Sequence, residues 1–164
     1  MTDQQLEYLI EQYADTILRL AYSYLKNVHD AQDISQSVLE KLYVGNQKFQ
    51  DSTHEKGYIM RMTVNLCKDY LKSAHHRTIS PLELCEDVVA PEESDGTVLF
   101  AVNQLEEKYR ITIYLHYFEG YTANEIGKIL KTPAPTIRTR LVRGREKLKI
   151  LLGGQDDGTI QERV

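Results

Sequence analysis

The sequence predicts an all-α protein: two small helical domains joined by a flexible acidic linker, the C-terminal one a helix-turn-helix. Three observations carry this. Apolar residues recur at helical spacing along most of the 164 residues, and few segments alternate as strands do. Charge is segregated: residues 79–98 hold six acids and no base, together with Pro81, Pro91 and Gly96. Its acids repel one another and its prolines break helices, which makes this stretch a tether. Finally, Thr122 to Lys149 reads as a short helix, a turn and a longer helix crowded with arginine. The expected organisation is a first domain over 1–78, a linker over 79–98, a second domain over 99–153, and a frayed polar tail over 154–164.

Leu6, Leu9, Ile10, Tyr13, Ile17, Leu20, Ala21 and Tyr24 predict a long amphipathic first helix. The chain breaks at Asn27 to Asp30, and Asp30 is expected to cap a second helix. Ile34, Val38 and Leu42 point inward in that helix; Asp33, Gln36, Glu40 and Lys41 make a polar outer side. A loop rich in Gly, Asn and Gln follows, through Phe49 to His54. A third helix is expected from about Gly57 to Ser73, with Tyr58, Ile59, Met62, Leu66, Tyr70 and Leu71 as apolar surface.

Arg61, Asn65, Lys68 and Lys72 fall in one stripe of that third helix. Cations around an asparagine suit a nucleic-acid backbone with one base-reading amide, and Tyr58 and Tyr70 offer stacking surfaces for unpaired bases. A solvated basic stripe over core tyrosines explains the same pattern.

Past the linker, Thr122 and Glu125 have the spacing of a capping box, and Ile126, Ile129 and Leu130 make one apolar face. Lys131-Thr132-Pro133 ends this helix. Thr132 is the expected cap of the next, where Pro133 and Pro135 are tolerated because first-turn amides lack intrahelical partners. In the last helix Ile137, Leu141, Gly144, Leu148 and Leu151 recur at helical spacing and face inward. Arg138, Thr139, Val142 and Arg143 then turn outward or flank that stripe, with Arg140, Arg145, Lys147 and Lys149 around them. Lys131 to Lys149 holds seven basic residues and one acid. Arginine bonds guanine bidentately, threonine contacts several bases, and an apolar side chain touches the thymine methyl. Other cations suit phosphates, which position without specifying. The alternative is a solvated amphipathic helix; the capped preceding helix and tight turn favour duplex DNA.

Composition excludes several classes. The net charge is -4, so the basic segments are local features of an acidic chain. No apolar run approaches the roughly 20 residues of a membrane span. The first residues, MTDQQLEYLIEQ, lack a signal peptide's basic and apolar regions, which implies a cytoplasmic protein without membrane insertion of its own. Two cysteines give no disulfide framework. There is no Gly-rich phosphate loop, H-E-x-x-H or CxxC, so neither an enzyme nor a cofactor is expected. Cys67, His75, His76 and Cys85 have poor spacing for zinc, and no metal is expected.

Taken together, residues 5–152 resemble a bacterial RNA polymerase sigma factor of the sigma-70 family, in the small extracytoplasmic-function (ECF) group. D30-A-Q-D-I-S-Q-S-V-L-E-K-L42 is similar to the region-two helix that grips the polymerase clamp. Y58-I-M-R-M-T-V-N-L-C-K-D-Y-L71 is similar to the segment that opens and reads the minus-ten element. L105-E-E-K-Y-R110, F118-E-G-Y-T-A-N-E-I126 and T136-I-R-T-R-L-V-R-G-R-E-K-L148 resemble region four, which reads the minus-thirty-five element.

The resemblance implies that Thr136, Arg138, Thr139, Val142 and Arg143 meet minus-thirty-five DNA. It implies that Tyr58, Arg61, Asn65, Lys68 and Lys72 meet the minus-ten element, Asn65 at a base flipped out of its stack. Asp30, Asp33, Ile34, Gln36 and Leu39 would touch core polymerase. The implied partners are core RNA polymerase (beta-prime clamp and beta flap), promoter DNA and an anti-sigma factor; the implied role is transcription initiation in a stress or envelope response. In the family the linker threads the polymerase cleft, and 20 residues reach at most roughly 65–70 Å, near two DNA turns of about 34–36 Å. Four positions depart from the family pattern: Gln32 replaces an acid, Leu39 an aromatic, Tyr58 a tryptophan and Pro135 a glycine. Two other readings remain: a stand-alone helix-turn-helix regulator, which leaves the second helix and the linker unexplained, and a protein-interaction module using the basic helix on an acidic partner.

Overall fold

A computed structural model describes residues 2–74 and 96–153. Every regular element among them is helical. The chain divides into two compact units, Met1–Val88 and Val89–Val164.

The first unit contains α1 (Asp3–Leu25), α2 (Val28–Gly45) and α3 (Ser52–Ala74). A capping box starts α1: the Thr2 amide donates to Gln5 Oε1 at 2.9 Å and the Gln5 amide to Thr2 Oγ1 at 3.2 Å. Lys26, at φ 55°, ends α1 in the left-handed region. The cap of α2 is Asn27, not Asp30. Asn27 is extended and its side chain accepts from the Asp30 amide at 3.1 Å, so Asp30 occupies the first turn. α3 begins five residues before the expected Gly57. Asp51 explains this, because its carboxylate accepts from the His54 amide at 2.8 Å, and Gly57 is carried inside the helix.

Leu9, Tyr13, Ile17, Leu20 and Ala21 of α1 are buried, as are Ala31, Ile34, Val38 and Leu42 of α2. Ile10, expected inward, is exposed. The buried side of α3 is Ile59, Met60, Thr63, Val64 and Cys67; of the expected apolar set only Ile59 is buried, and Tyr58, Met62, Leu66, Tyr70 and Leu71 lie at its margin. Tyr13 and Tyr8 of α1 both donate to Glu55 Oε1, at 2.6 and 3.3 Å, fastening α1 to the start of α3.

The second unit contains α4 (Gly96–Asn103), α5 (Glu107–Ile113), a π-helical turn (Tyr114–Phe118), α6 (Ala123–Leu130) and α7 (Ala134–Leu151). Residues 96–98 of the expected linker belong to α4, whose Ala101 and Val102 are buried; α4 packs on α5 and α7. Buried Arg110 donates to the Leu105 carbonyl at 2.8 Å and ties off the α4–α5 turn. The predicted capping box of α6 is present: the Thr122 amide donates to Glu125 Oε1 at 2.9 Å and the Glu125 amide to Thr122 Oγ1 at 3.2 Å.

Thr132 does not cap α7. Its hydroxyl donates backward to the Leu130 carbonyl at 3.2 Å, and Pro133 takes the cap position without a side-chain bond. Two glycines permit the packing of this unit. A Cβ on Gly127 would lie 2.6 Å from the Thr132 carbonyl oxygen, and one on Gly144 2.9 Å from Ile113 Cγ1. Leu151, expected inward, is 48% exposed because it lies at the end of α7, past the last buried turn at Leu148. Linker residues 79–95, His75, His76, Cys85 and the expected tail 154–164 lie outside the described residues.

Candidate nucleic-acid and partner interfaces

The outer face of α7 follows from its period. Ile137, Leu141, Gly144 and Leu148 are buried, which turns Thr136, Arg138, Thr139, Val142 and Arg143 outward, and all five are exposed. Val142 is an apolar side chain left 46% exposed in the middle of this strip. The Thr139 hydroxyl donates to the Pro135 carbonyl at 3.1 Å, which fixes its rotamer and leaves its oxygen free to accept. Arg138, Arg140 and Arg143 have no polar partner among the described residues. The strip thus presents unneutralised guanidinium groups, two hydroxyls and one apolar contact, the set that reads base edges in a major groove. Lys147 differs: it pairs with Glu106 at 3.7 Å, and its Nζ lies 5.4 Å from the Tyr109 ring centre.

Between the π turn and α6, burial with Glu119 and Glu125 nearby pushes the Tyr121 phenol far above its usual range, so it stays protonated. The Thr122–Glu125 box and Gly127 together set α6 against the start of α7. That close approach fixes how the start of α7 meets α6.

The α3 stripe is also assembled. Arg61, Asn65 and Lys72 are exposed, and Tyr58 and Lys68 half-buried. The structure adds a cleft of about 290 Å³ lined by Lys41, Tyr58, Arg61, Met62, Asn65 and Leu66. Arg61 and Asn65 therefore share one open concavity with an aromatic ring and apolar side chains; Lys68 and Lys72 are not among its lining residues. Phe49 lies 5.4 Å from Tyr58 between ring centres, and 5.7 Å from His54, which extends the aromatic wall. Sequence periodicity placed Lys41 on the polar side of α2 and Met62 and Leu66 on the apolar surface of α3. Only the packing of α2 against α3 brings them to one cleft.

On α2, Asp33 and Gln36 are exposed, and Asp30 and Leu39 are half-buried. Gln36 donates to Glu40 Oε1 at 3.1 Å along the helix. Ile34 is the exception. It is 7% exposed and packed in the core, because it shares the inward stripe with Val38 and Leu42, so it is not part of the exposed α2 surface. Tyr43 and Val44 are 44% and 80% exposed at the end of the same helix, an apolar surface that the sequence reading missed. Among the described residues, no group of three His, Cys, Asp or Glu is placed to hold a metal ion, and no helix is long and apolar enough to cross a membrane.

Comparison with known proteins accounts for both units. Residues 9–77 match the profile of Sigma-70 region 2, and residues 96–148 that of Sigma-70, region 4. The ECF RNA polymerase sigma factor SigW of Bacillus subtilis is 30% identical over 159 residues, covering 86% of this chain and 85% of that protein. The chain belongs to the sigma-70 family, in its ECF group. As a sigma factor it directs transcription initiation.

The ECF sigma factor SigE of Mycolicibacterium smegmatis is 29% identical over 164 residues; the match covers 93% of this chain and 63% of that longer protein. Among solved structures, the fold is similar to the sigma factor RpoE of Bartonella quintana, solved with the anti-sigma factor NepR. The TM-score is 0.75 at 16% identity, over 93% of this sigma factor and 99% of that chain. Neither matched profile describes an enzyme.

Proposed function

We propose that this sigma factor acts through three surfaces. Asp30, Asp33, Gln36 and Leu39 of α2 meet the clamp of core RNA polymerase. The α3 cleft, with Tyr58, Arg61 and Asn65, takes an unpaired base of the minus-ten element, while Lys68 and Lys72 follow the strand's phosphates. Thr136, Arg138, Thr139, Val142 and Arg143 of α7 read the minus-thirty-five element, and the second unit rests on the beta flap. The protein itself performs no catalysis and works in the cytoplasm, in a stress or envelope response. An anti-sigma factor holds it inactive; the similar fold of RpoE, solved with NepR, supports that partner.

The observation that carries this reading is the outer strip of α7: five residues of base-reading chemistry exposed together, over a helix whose opposite stripe is buried. A stand-alone regulator needs that strip too, but it has no use for a base-sized cleft beside an exposed acidic α2 in a separate unit.

The test is a DNA-binding comparison with and without core polymerase. A sigma factor shifts promoter DNA well only with core, whereas a stand-alone regulator shifts operator DNA by itself. A protein-interaction module gives salt-dependent binding without sequence preference.

A further inference from the structure

The outer strip of α7 is bordered on one side by Arg145. It lies seven residues beyond Arg138, and so within about 20° of it around the helix. That places it between the exposed strip and the buried stripe of Leu141 and Leu148. A side chain there points past the bases, toward the phosphate wall of a groove that the strip enters.

Arg145 is half-buried, and its Nη1 donates to the Tyr117 hydroxyl at 3.2 Å across 28 residues of sequence. No carboxylate lies within ion-pair distance of it among the described residues. Lys147, about half a turn round from Arg138, already faces Glu106. Tyr117 is itself held in place. The His116 ring stands edge-on to it at 4.8 Å, and His116 Nδ1 lies 2.7 Å from the Tyr121 carbonyl oxygen. His116 and Tyr117 belong to the π turn, which keeps Tyr114 and Leu115 in the core while these two reach the rim. Such turns recur at functional sites.

We propose that Tyr117 is a positioning residue for DNA binding: its hydroxyl holds the Arg145 guanidinium so that the remaining N–H donors meet a backbone phosphate beside the bases read by α7. The inference rests on the minus-thirty-five reading above. A guanidinium has five N–H donors in a rigid fork, so one bond to Tyr117 leaves a bidentate edge for phosphate. An arginine already held loses less freedom on binding than a loose one.

The test uses holoenzyme, made from core polymerase and the full chain, on a duplex promoter fragment recovered by start-site mapping, over a salt series. Arg145→Ala is expected to weaken binding about tenfold for all sequences alike and to lower the salt slope by about one. Tyr117→Phe is expected to weaken it about threefold, also uniformly, and to add nothing in the Arg145→Ala background. Arg145→Lys, which keeps the charge and loses the fork, is expected to keep the slope and lose about threefold. It carries the test if Tyr117→Phe proves less stable on melting.

Equal losses from Tyr117→Phe with and without Arg145, an unchanged salt slope in Arg145→Ala, or wild-type affinity in Arg145→Lys overturns the inference. If Arg143→Ala still alters preference at one base while these variants change nothing, the minus-thirty-five reading stands and the inference falls. If the wild-type holoenzyme is indifferent to the upstream element, both fall.

Discussion

Arg143 and Arg145 sit two residues apart on α7 and are assigned different work, one on bases and the other on phosphate. Arg143 is exposed in the strip and has no polar partner among the described residues. Arg143→Ala is expected to cost about 1–3 kcal/mol at one base position. Competition with promoters carrying single base changes checks this, and a loss spread over all sequences would reassign Arg143 to phosphate. Asn65→Ala is expected to weaken holoenzyme binding to a single-stranded minus-ten oligonucleotide while sparing minus-thirty-five duplex; equal losses on both probes would remove Asn65 from the cleft's chemistry. Arg138, Thr139, Val142 and Arg143 were legible as an outer face because period and charge agreed there, while Thr136 came only from the family resemblance. The cleft was not, since Lys41 comes from another helix and only packing brings it to Asn65. Ile34 shows the reverse: a motif position suggested contact, while its own periodicity placed it in the core.

The start of α6 was legible because its signal is reciprocal, although the equally reciprocal Thr2–Gln5 box of α1 went unread. Thr122 and Glu125 satisfy each other's amides, and no competing pattern uses both. Thr122→Ala is expected to cost about 1 kcal/mol, read as a lower thermal midpoint of the second unit; no shift would mean that packing alone fixes the start of α6. Single-residue signals were less decisive. Thr132 bonds backward, Asn27 caps in place of Asp30, and Gly57 stays inside α3 because Asp51 starts the helix earlier.

Glycine in a helix reads as a weakness, yet two glycines set the helix-turn-helix geometry. Gly127→Ala forces a Cβ against a backbone carbonyl that cannot move aside, and is expected to cost about 1–3 kcal/mol. Gly144→Ala meets side-chain atoms rather than backbone, Ile113 Cγ1 at 2.9 Å and Cδ1 at 3.0 Å, and gains about 1 kcal/mol of helix propensity, so its net cost is expected to be smaller. Denaturant titration of the two variants separates them, and equal losses would contradict the packing account.

At the scale of the whole molecule, a net charge of -4 coexists with a cationic strip on α7 and a smaller one on α3. General attraction to DNA is therefore expected to be weak. On the proposed function the labour is divided: polymerase supplies the hold, the α3 cleft and the α7 strip supply the choice, and α2 joins them to the enzyme. The acidic stretch 79–98 adds repulsion between free chain and DNA.

The most direct measurement is reconstituted transcription with core polymerase on pooled genomic fragments, followed by sequencing of the RNA starts. The expected result is discrete starts that share two upstream elements at fixed spacing, appear only when the chain is added, and shift in upstream preference with Arg143→Ala. Starts that are the same with core alone, or chain-dependent starts with no shared upstream elements, would contradict it.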